Sequence, residues 1–446
     1  MKIPPIKHAL ENISQACTDK LAALYPAGIP VPVKERYKTE FNYLSQSKYI
    51  DEFELFRLFS NESRKCSTLI SCRGTLSGSF IYFLLGQNCY DPLPAYYYCP
   101  ECGYYEEAPA HTFGIDLSPK KCPHCGVQIH AKGYNLPIES VWGTDGKKII
   151  SFEYDISDDF LPFAQNILAS VYPKVSVVPW AMFSLDDSSP YYPEHRIIGT
   201  HMVGYALLPI GNTINDYSDL LSYLDDGTPC LVGGGYELQN HLLKPVYLLS
   251  SNQTPNNLLY LQRATGIYAN EISDIDLHDL TWGTLSNTAI LSQAESVLFH
   301  KFKPKTFRHM AGLIASAHNS FAAPNQHSRE MDSSQFYTLI QTEAFQKYPC
   351  YTREDFFDFL IDAGVEKNLA FDVSEQIRKG RTHSTKNLRE SFYALPIPDD
   401  LKEIAGYYLY LFPRAHCVEH LLSYAKLAYY SKINSRAFSK IMFHKK

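Results

Sequence analysis

The chain has 446 residues, 45% of them hydrophobic and 20% charged, with a net charge of −6. This composition excludes a disordered polymer, and the acidic balance excludes a nucleic-acid contact resting on overall charge, so phosphate binding would need local basic runs. No apolar run reaches the roughly 18 residues that span a bilayer, and MKIPPIKHALENISQ lacks the apolar core of a secretory signal, so a cytoplasmic protein of about two or three domains is expected.

Residues 1–60 carry helical patterns interrupted by YPAGIPVPV and are expected to lead into the next domain. SCRGTLSGSF (71–80) is a Gly/Ser-rich turn entering the apolar IYFLL. Residues 95–130 hold CPECGYYEEAPAHTFGIDLSPKKCPHCG, with two C-x-x-C pairs, each followed by Gly. In such a knuckle Gly permits the tight turn that aims both sulfurs at one metal. Cys99, Cys102, Cys122 and Cys125 supply the four thiolates of a tetrahedral zinc, and a site so filled is structural. His111, His124 and His130 read as surface residues. Cys17, Cys66, Cys72, Cys89, Cys230, Cys350 and Cys417 are scattered, which predicts a reducing compartment and no disulfide framework.

From about 137 to 290 short β-like runs dominate, namely KIISFEY, VSVVPWAMF, GYALLPI and KPVYLLSS, separated by Gly, Pro, Asn and Asp. From 291 onward the pattern becomes helical. In HCVEHLLSYAKLAYYSKI, Val418, Leu421, Leu422, Ala425, Ala428 and Tyr429 recur at i, i+3, i+4, as in a helix burying one face.

Taken in order, these stretches resemble the core of C-family bacterial replicative DNA polymerases, the PolC-type DNA polymerase III alpha subunits. Arg73, Gly74 and Phe80 match the family's S-R-G-S-V-G-S-S-F. YDPLPAYYYCPECG matches N-P-L-P followed by Tyr and the ribbon. GYNLPIESVWG is similar to G-H-D-I-P-F-E-T-F-L-G, and RIIGTHMVGYALLP to R-T-T-G-Q-H-P-G-G-I-I-V-V-P. Towards the C-terminus, IRKGR resembles V-R-K-G-K, and FPRAHCVEHLLSYAKLAYY resembles F-P-K-A-H-A-A-A-Y-V-L-M-A-V-R-I-A-Y-F. The resemblance implies an α+β fold: a nucleotidyltransferase-like (polymerase beta-like) palm at 61–290 with a zinc ribbon inserted at 95–130, then an all-helical fingers-like domain at 291–446. The family's exonuclease, phosphoesterase-like, clamp-binding and duplex-binding parts have no counterpart in this sequence.

Two-metal nucleotidyl transfer needs carboxylates on one face of a strand, which a D-x-D pair provides. The family writes P-D-I-D-L-N-F-S-G-D-Y. Ungapped alignment through Gly146 and Asp159 puts Ser151 and Glu153 at the two aspartate positions. A two-residue shift puts Glu153 and Asp155 there. In LLKPVYLL the third aspartate falls on Val246. The family's basic block before the G-Q-H-P-G-G motif, which would hold phosphates, is short here by about thirty residues. The expectation is therefore a non-catalytic homologue acting in DNA replication or its regulation by binding DNA or a replication or defence partner. Magnesium enters only on the alternative, a minimal DNA-directed DNA polymerase using Glu153 and Asp155. Arg73, Gly74, Arg378, Lys379, Arg381, Lys386 and Arg389 are candidate phosphate contacts, as is the run KFKPKTFRH (301–309), and each reads equally as an ordinary turn or solvated face. His201 and the FPRAH residues Pro413, Arg414 and His416 read as structural.

Overall fold

The computed structural model describes residues 3–86, 90–185, 197–250, 253–287, 290–323, 326–330, 333–348, 350–381, 390 and 392–443. Seven runs form one mixed sheet: β1 (Ile70–Cys72), β2 (Glu153–Ile156), β3 (Val177–Leu185), β4 (Ile197–Leu207), β5 (Leu221–Tyr223), β6 (Pro229–Val232) and β7 (Lys244–Leu249). Their spatial order is β1-β2-β7-β4-β3-β6-β5. β2 runs parallel to β7 and β3 parallel to β6, while the remaining neighbours are antiparallel. The run KIISFEY becomes strand only at Glu153. Its first half is held from outside the sheet: Lys148 N–H donates to the Trp142 carbonyl and Ile150 N–H to the Tyr49 hydroxyl.

One face of the sheet is apolar. Tyr154 and Ile156 of β2, Tyr205 and Leu207 of β4, and Val246 and Leu248 of β7 share a core with Ile13, Cys17, Phe53, Phe56 and Phe59. Those residues come from the helices Ala9–Leu24 and Ile50–Lys65. The N-terminal helices therefore cover the sheet and share its core, and the last of them runs past residue 60. The Ile50–Lys65 helix has Asp51 and Glu52 in its first turn and Arg64 and Lys65 in its last, which complements the helix dipole. The proline break also has a local cause: Pro32 occupies the first turn of the Val31–Ser45 helix, where its missing N–H costs nothing.

A second core gathers the helices after residue 253, with Leu69, Tyr90, Phe113 and Tyr134 joining from the earlier part. This region departs from the all-helical expectation. A small antiparallel sheet pairs Ser320–Ala323 with both Gln326–Glu330 and Tyr408–Tyr410. Tyr-Leu-Tyr at 408–410 has aromatic β preference, and Tyr408 packs on Phe321 with ring centroids 4.8 Å apart. Helices around it start on side-chain caps. Ser292 with Glu295 and Thr352 with Asp355 form capping boxes. The Arg414–Ile433 helix is buried on most sides and ties the two parts together. Tyr90 Oη donates to its Ala415 carbonyl at 2.9 Å, and the fully buried Arg414 guanidinium reaches Asp355, Asp358 and the Asn135 carbonyl. Among the described residues no helix is long and apolar enough to cross a membrane.

Candidate functional site

The cysteine module folds as its spacing predicts. Cys99 N–H donates to the Tyr104 carbonyl and Gly103 N–H to the Cys99 carbonyl; the second knuckle repeats this with Cys122–Val127 and Gly126–Cys122. Gly103 and Gly126 take φ of +73° and +78°, which side chains resist. The sulfurs of Cys99 and Cys125 are 3.4 Å apart, and those of Cys102 and Cys122 are 3.5 Å apart. That is far beyond the roughly 2.05 Å of a disulfide and close to the ~3.8 Å edge of a tetrahedron with ~2.3 Å zinc–sulfur bonds. All four converge within 4.8 Å. The donor set suits a zinc-class ion, which would cross-link the two knuckles. His111, His124 and His130 lie outside the cluster; His111 faces Asp358 and Asp362 instead.

Glu153 and Asp155 occupy alternate positions of β2 and so share a face. Opposite them on β7 stand Tyr247 and Leu249, and Ser71 of β1 stands opposite Asp155. Val246 lies on the other face, in the core with Tyr154. The parallel register of β2 with β7 thus turns Val246 away from the carboxylates, and their cross-strand neighbours Ser71, Tyr247 and Leu249 carry no charge. Ser151 precedes the strand and donates from Oγ to Glu153 Oε1 at 2.8 Å. Asp155 is 1% exposed, with Arg73 Nη1 3.8 Å from its Oδ1. Arg73 N–H also donates to the Glu153 carbonyl.

The carboxyl group nearest in character is one that sequence reading passes over. Glu419, on the Arg414–Ile433 helix, is pushed up to about 8, first by burial and then by the charge of Asp155; the Ser423 and Ser71 hydroxyls and the Arg73 charge oppose the shift. It is therefore largely protonated at neutral pH. Gly74 takes φ +73° and donates its N–H to His416 Nδ1 at 3.0 Å, so the Arg73–Gly74 turn is anchored on the same helix.

Several of the basic candidates are engaged, while Lys303 and Lys305 are exposed. Arg378 and Lys379 both pair with Glu375, one helical turn back, which also takes Arg353. Arg381 is exposed, while Lys386 and Arg389 lie outside the described residues. In the 301–309 run Arg308 pairs with Asp355, and the Phe307 and Arg308 N–H groups donate to Asp116. His201 is exposed on β4, so it does not serve core packing.

No family model matches the chain. Curated proteins named DNA polymerase III PolC-type do. The one from Caldanaerobacter subterraneus subsp. tengcongensis is 22% identical over 490 residues, covering 99% of this chain. Those from Thermotoga petrophila and Pediococcus pentosaceus are 23% and 22% identical, each covering 96% of it. Over nearly its whole length the chain is similar to these PolC-type DNA polymerase III proteins. It spans about a third of the length of these relatives, 34%, 34% and 32% respectively.

In this PolC-like chain, histidines and glutamates of the C-terminal part form clusters that sequence reading does not single out. Among the described residues the ligating side chains that converge within 4.8 Å are the four cysteines, Glu295–His318–His420, and His416–Glu419–His420. Glu153 and Asp155 belong to none of these sets. The available signal was the spacing H-C-V-E-H at 416–420, since i, i+3 and i+4 share one helix face. A cavity of about 400 Å³ borders Ser71, Glu419, His420, Ser423, Tyr424 and Lys426.

Proposed function

We propose that this PolC-like chain is a non-catalytic relative of the polymerase core, acting in DNA replication or its regulation by binding DNA or a replisome or defence partner. On this reading the sheet and its helices (61–290) are a nucleotidyltransferase-like palm, 95–130 is a zinc ribbon with a structural ion, and 291–446 is a fingers-like domain. The protein works in the cytoplasm.

The observation that carries this reading is the environment of Asp155. Two divalent ions roughly 4 Å apart need several anionic oxygens to hold them. Across the strands Asp155 meets Tyr247's neighbour Leu249 and Ser71, and Arg73 approaches from the β1 turn. Glu419 is pushed up to about 8, by burial and then by the charge of Asp155, so it is largely protonated at neutral pH and adds little negative charge. Asp155 and Arg73 then balance each other, and little negative charge is left for magnesium.

A second reading rests on one observation: Glu153 and Asp155 share a face at i, i+2, as a metal-binding pair would. Under it the chain is a minimal DNA-directed DNA polymerase using magnesium. Extension of a primed template by the purified chain, with magnesium and all four deoxynucleotides, separates the two. We expect no extension, together with a mobility shift of primed DNA or capture of a replication protein. Extension that disappears in Asp155→Asn supports the polymerase reading and overturns the first.

A further inference from the structure

Three helices meet in the helical core: Gln293–Phe302, Phe307–His318 and Arg414–Ile433. They bring Glu295, His318 and His420 together, with one ligating atom of each within 4.8 Å of the others. His318 Nε2 lies 3.2 Å from Glu295 Oε1. Two ligands of one tetrahedral zinc, each at ~2.1 Å, are separated by about 3.4 Å, so this spacing already matches a shared ion. Glu295 cannot swing away, because its other oxygen accepts the Ser292 N–H at 2.7 Å. Its carboxylate is completely buried, and a buried anion needs a cation.

His420 supplies the independent observation. Its Nδ1 is buried with no hydrogen-bond partner among the described residues. A hydrogen bond between His318 and Glu295 leaves that nitrogen unsatisfied, whereas an ion bound by all three side chains can use the His420 ring. Buried polar atoms are rarely left unmade.

The neighbouring set His416–Glu419–His420 fits an ion less well. His416 Nδ1 accepts the Gly74 N–H, so its neutral ring holds its proton on Nε2 and offers no second lone pair. Glu419 accepts the Ser423 hydroxyl at 3.3 Å, and its Oε2 stands 4.0 Å from His420 Nε2, longer than the ~3.4 Å between two ligands of a tetrahedral zinc. His420 also stands where the F-P-K-A-H-A-A-A-Y-V pattern carries Tyr, so the cluster is not a feature that the resemblance supplies.

We propose that Glu295, His318 and His420 form a second metal site, a two-histidine, one-carboxylate set for a divalent transition ion of the zinc class. The ion pins three helices together. Three protein ligands leave a fourth position for water or a small ligand, and His420 also lines the 400 Å³ cavity.

The test is zinc content of the full chain after equilibration with zinc chloride at micromolar free zinc, followed by gel filtration. We expect about two zinc ions per chain, falling to about one in His318→Ala and in Glu295→Gln. The amide of Glu295→Gln still accepts the Ser292 N–H and so keeps the surrounding packing, whereas His318→Ala also loses a 36% exposed ring stacked on Phe412, so urea unfolding of both variants accompanies the metal count. Cys102→Ser with Cys125→Ser removes the other ion, which separates this site from the cysteine cluster. Cobalt chloride in place of zinc gives a check on the unaltered chain. Thiolate ligands produce near-ultraviolet charge-transfer bands, whereas the site proposed here adds only visible ligand-field bands. A single metal equivalent with thiolate bands alone, or a second equivalent retained in both His318→Ala and Glu295→Gln, overturns the proposal.

Discussion

The backbone N–H of Gly74 donates to Nδ1 of His416 at 3.0 Å, joining positions 342 residues apart in the chain. One end is the turn that follows the edge strand β1, and the other is the first turn of the long C-terminal helix. The bond sets how that helix meets the acidic strand, because Glu419 lies one turn further along it. His416→Phe keeps the bulk and removes the acceptor. It is expected to destabilise the chain by about 1–3 kcal/mol, since a buried N–H is left unmade. Gly74→Ala is expected to cost about 1 kcal/mol through φ alone, as a Cβ there meets nothing within 4 Å. Urea unfolding midpoints measure both.

Arg414 is buried with no exposed side-chain surface and pairs with Asp355 and Asp358. Arg414→Met fills the space but removes the buried cation shared by Asp355 and Asp358; among the described residues this leaves Asp355 only Arg308 and Asp358 only the half-exposed His111. Breaking a buried pair in this way costs roughly 3–5 kcal/mol. We expect Arg414→Met to unfold at a markedly lower urea concentration, and Arg414→Lys to recover only part of the loss, because an ammonium cannot serve both aspartates and the Asn135 carbonyl. Full stability in Arg414→Met would show that the network contributes nothing net.

The same network predicts an acid limb. Burial pushes the Glu354 carboxyl up, but Arg353 and Arg414 outweigh it and hold the group down at about 2. A depressed folded value means that the unfolded chain takes up protons first as the pH falls. The stabilisation is complete above an ordinary carboxylate value of about 4.3 and is lost between there and about 2. Glu354→Gln should therefore be less stable than the parent at neutral pH, and the gap should close as pH falls through that window. Urea midpoints measured from pH 6 to pH 2.5 read it directly, and a gap that stays constant with pH counts against Glu354 as the source.

The cysteine module has very short strands, such as Lys120–Lys121 and Gln128–Ile129, so its order rests on its sulfurs. Zinc removal by a strong chelator is expected to raise amide hydrogen exchange across residues 96–132 while leaving the seven-stranded sheet protected. Tyr98 packs edge-on against Tyr25 at 5.0 Å, so the first helix should feel a small secondary loosening. Unchanged exchange in 96–132 would mean that the module holds together without a metal.

The cysteine cluster is legible in the sequence because its determinants are local. Two residues between cysteines and a glycine after each pair suffice to form a knuckle, whatever surrounds it. The i, i+3, i+4 pattern of Val418, Leu421 and Leu422 is local in the same way, and those residues are buried in the helix. The β-like runs likewise mark most sheet strands, because alternation and turn residues act within a few positions.

What decides the candidate site is not local. Whether Val246 faces Glu153 or the core depends on the register of β7 against β2, two strands about ninety residues apart whose pairing is set by burial of a shared face. The small sheet of 320–330 and 408–410 forms because tertiary packing of Phe321 on Tyr408 outweighs the helical context around it. Arg378 and Lys379 look free of acids in the segment from 377 onward, yet Glu375 reaches both from one turn upstream. By itself the sequence determined the thiolate cluster and the faces of individual helices, since each is written in spacings of one to four residues, and its ordered motifs carried the resemblance to PolC-type polymerases. The partnering of Asp155 with Arg73 and of Glu295 with His318, and the approach of His420 to that pair, came only from the folded chain, because burial brings together side chains that no short spacing relates.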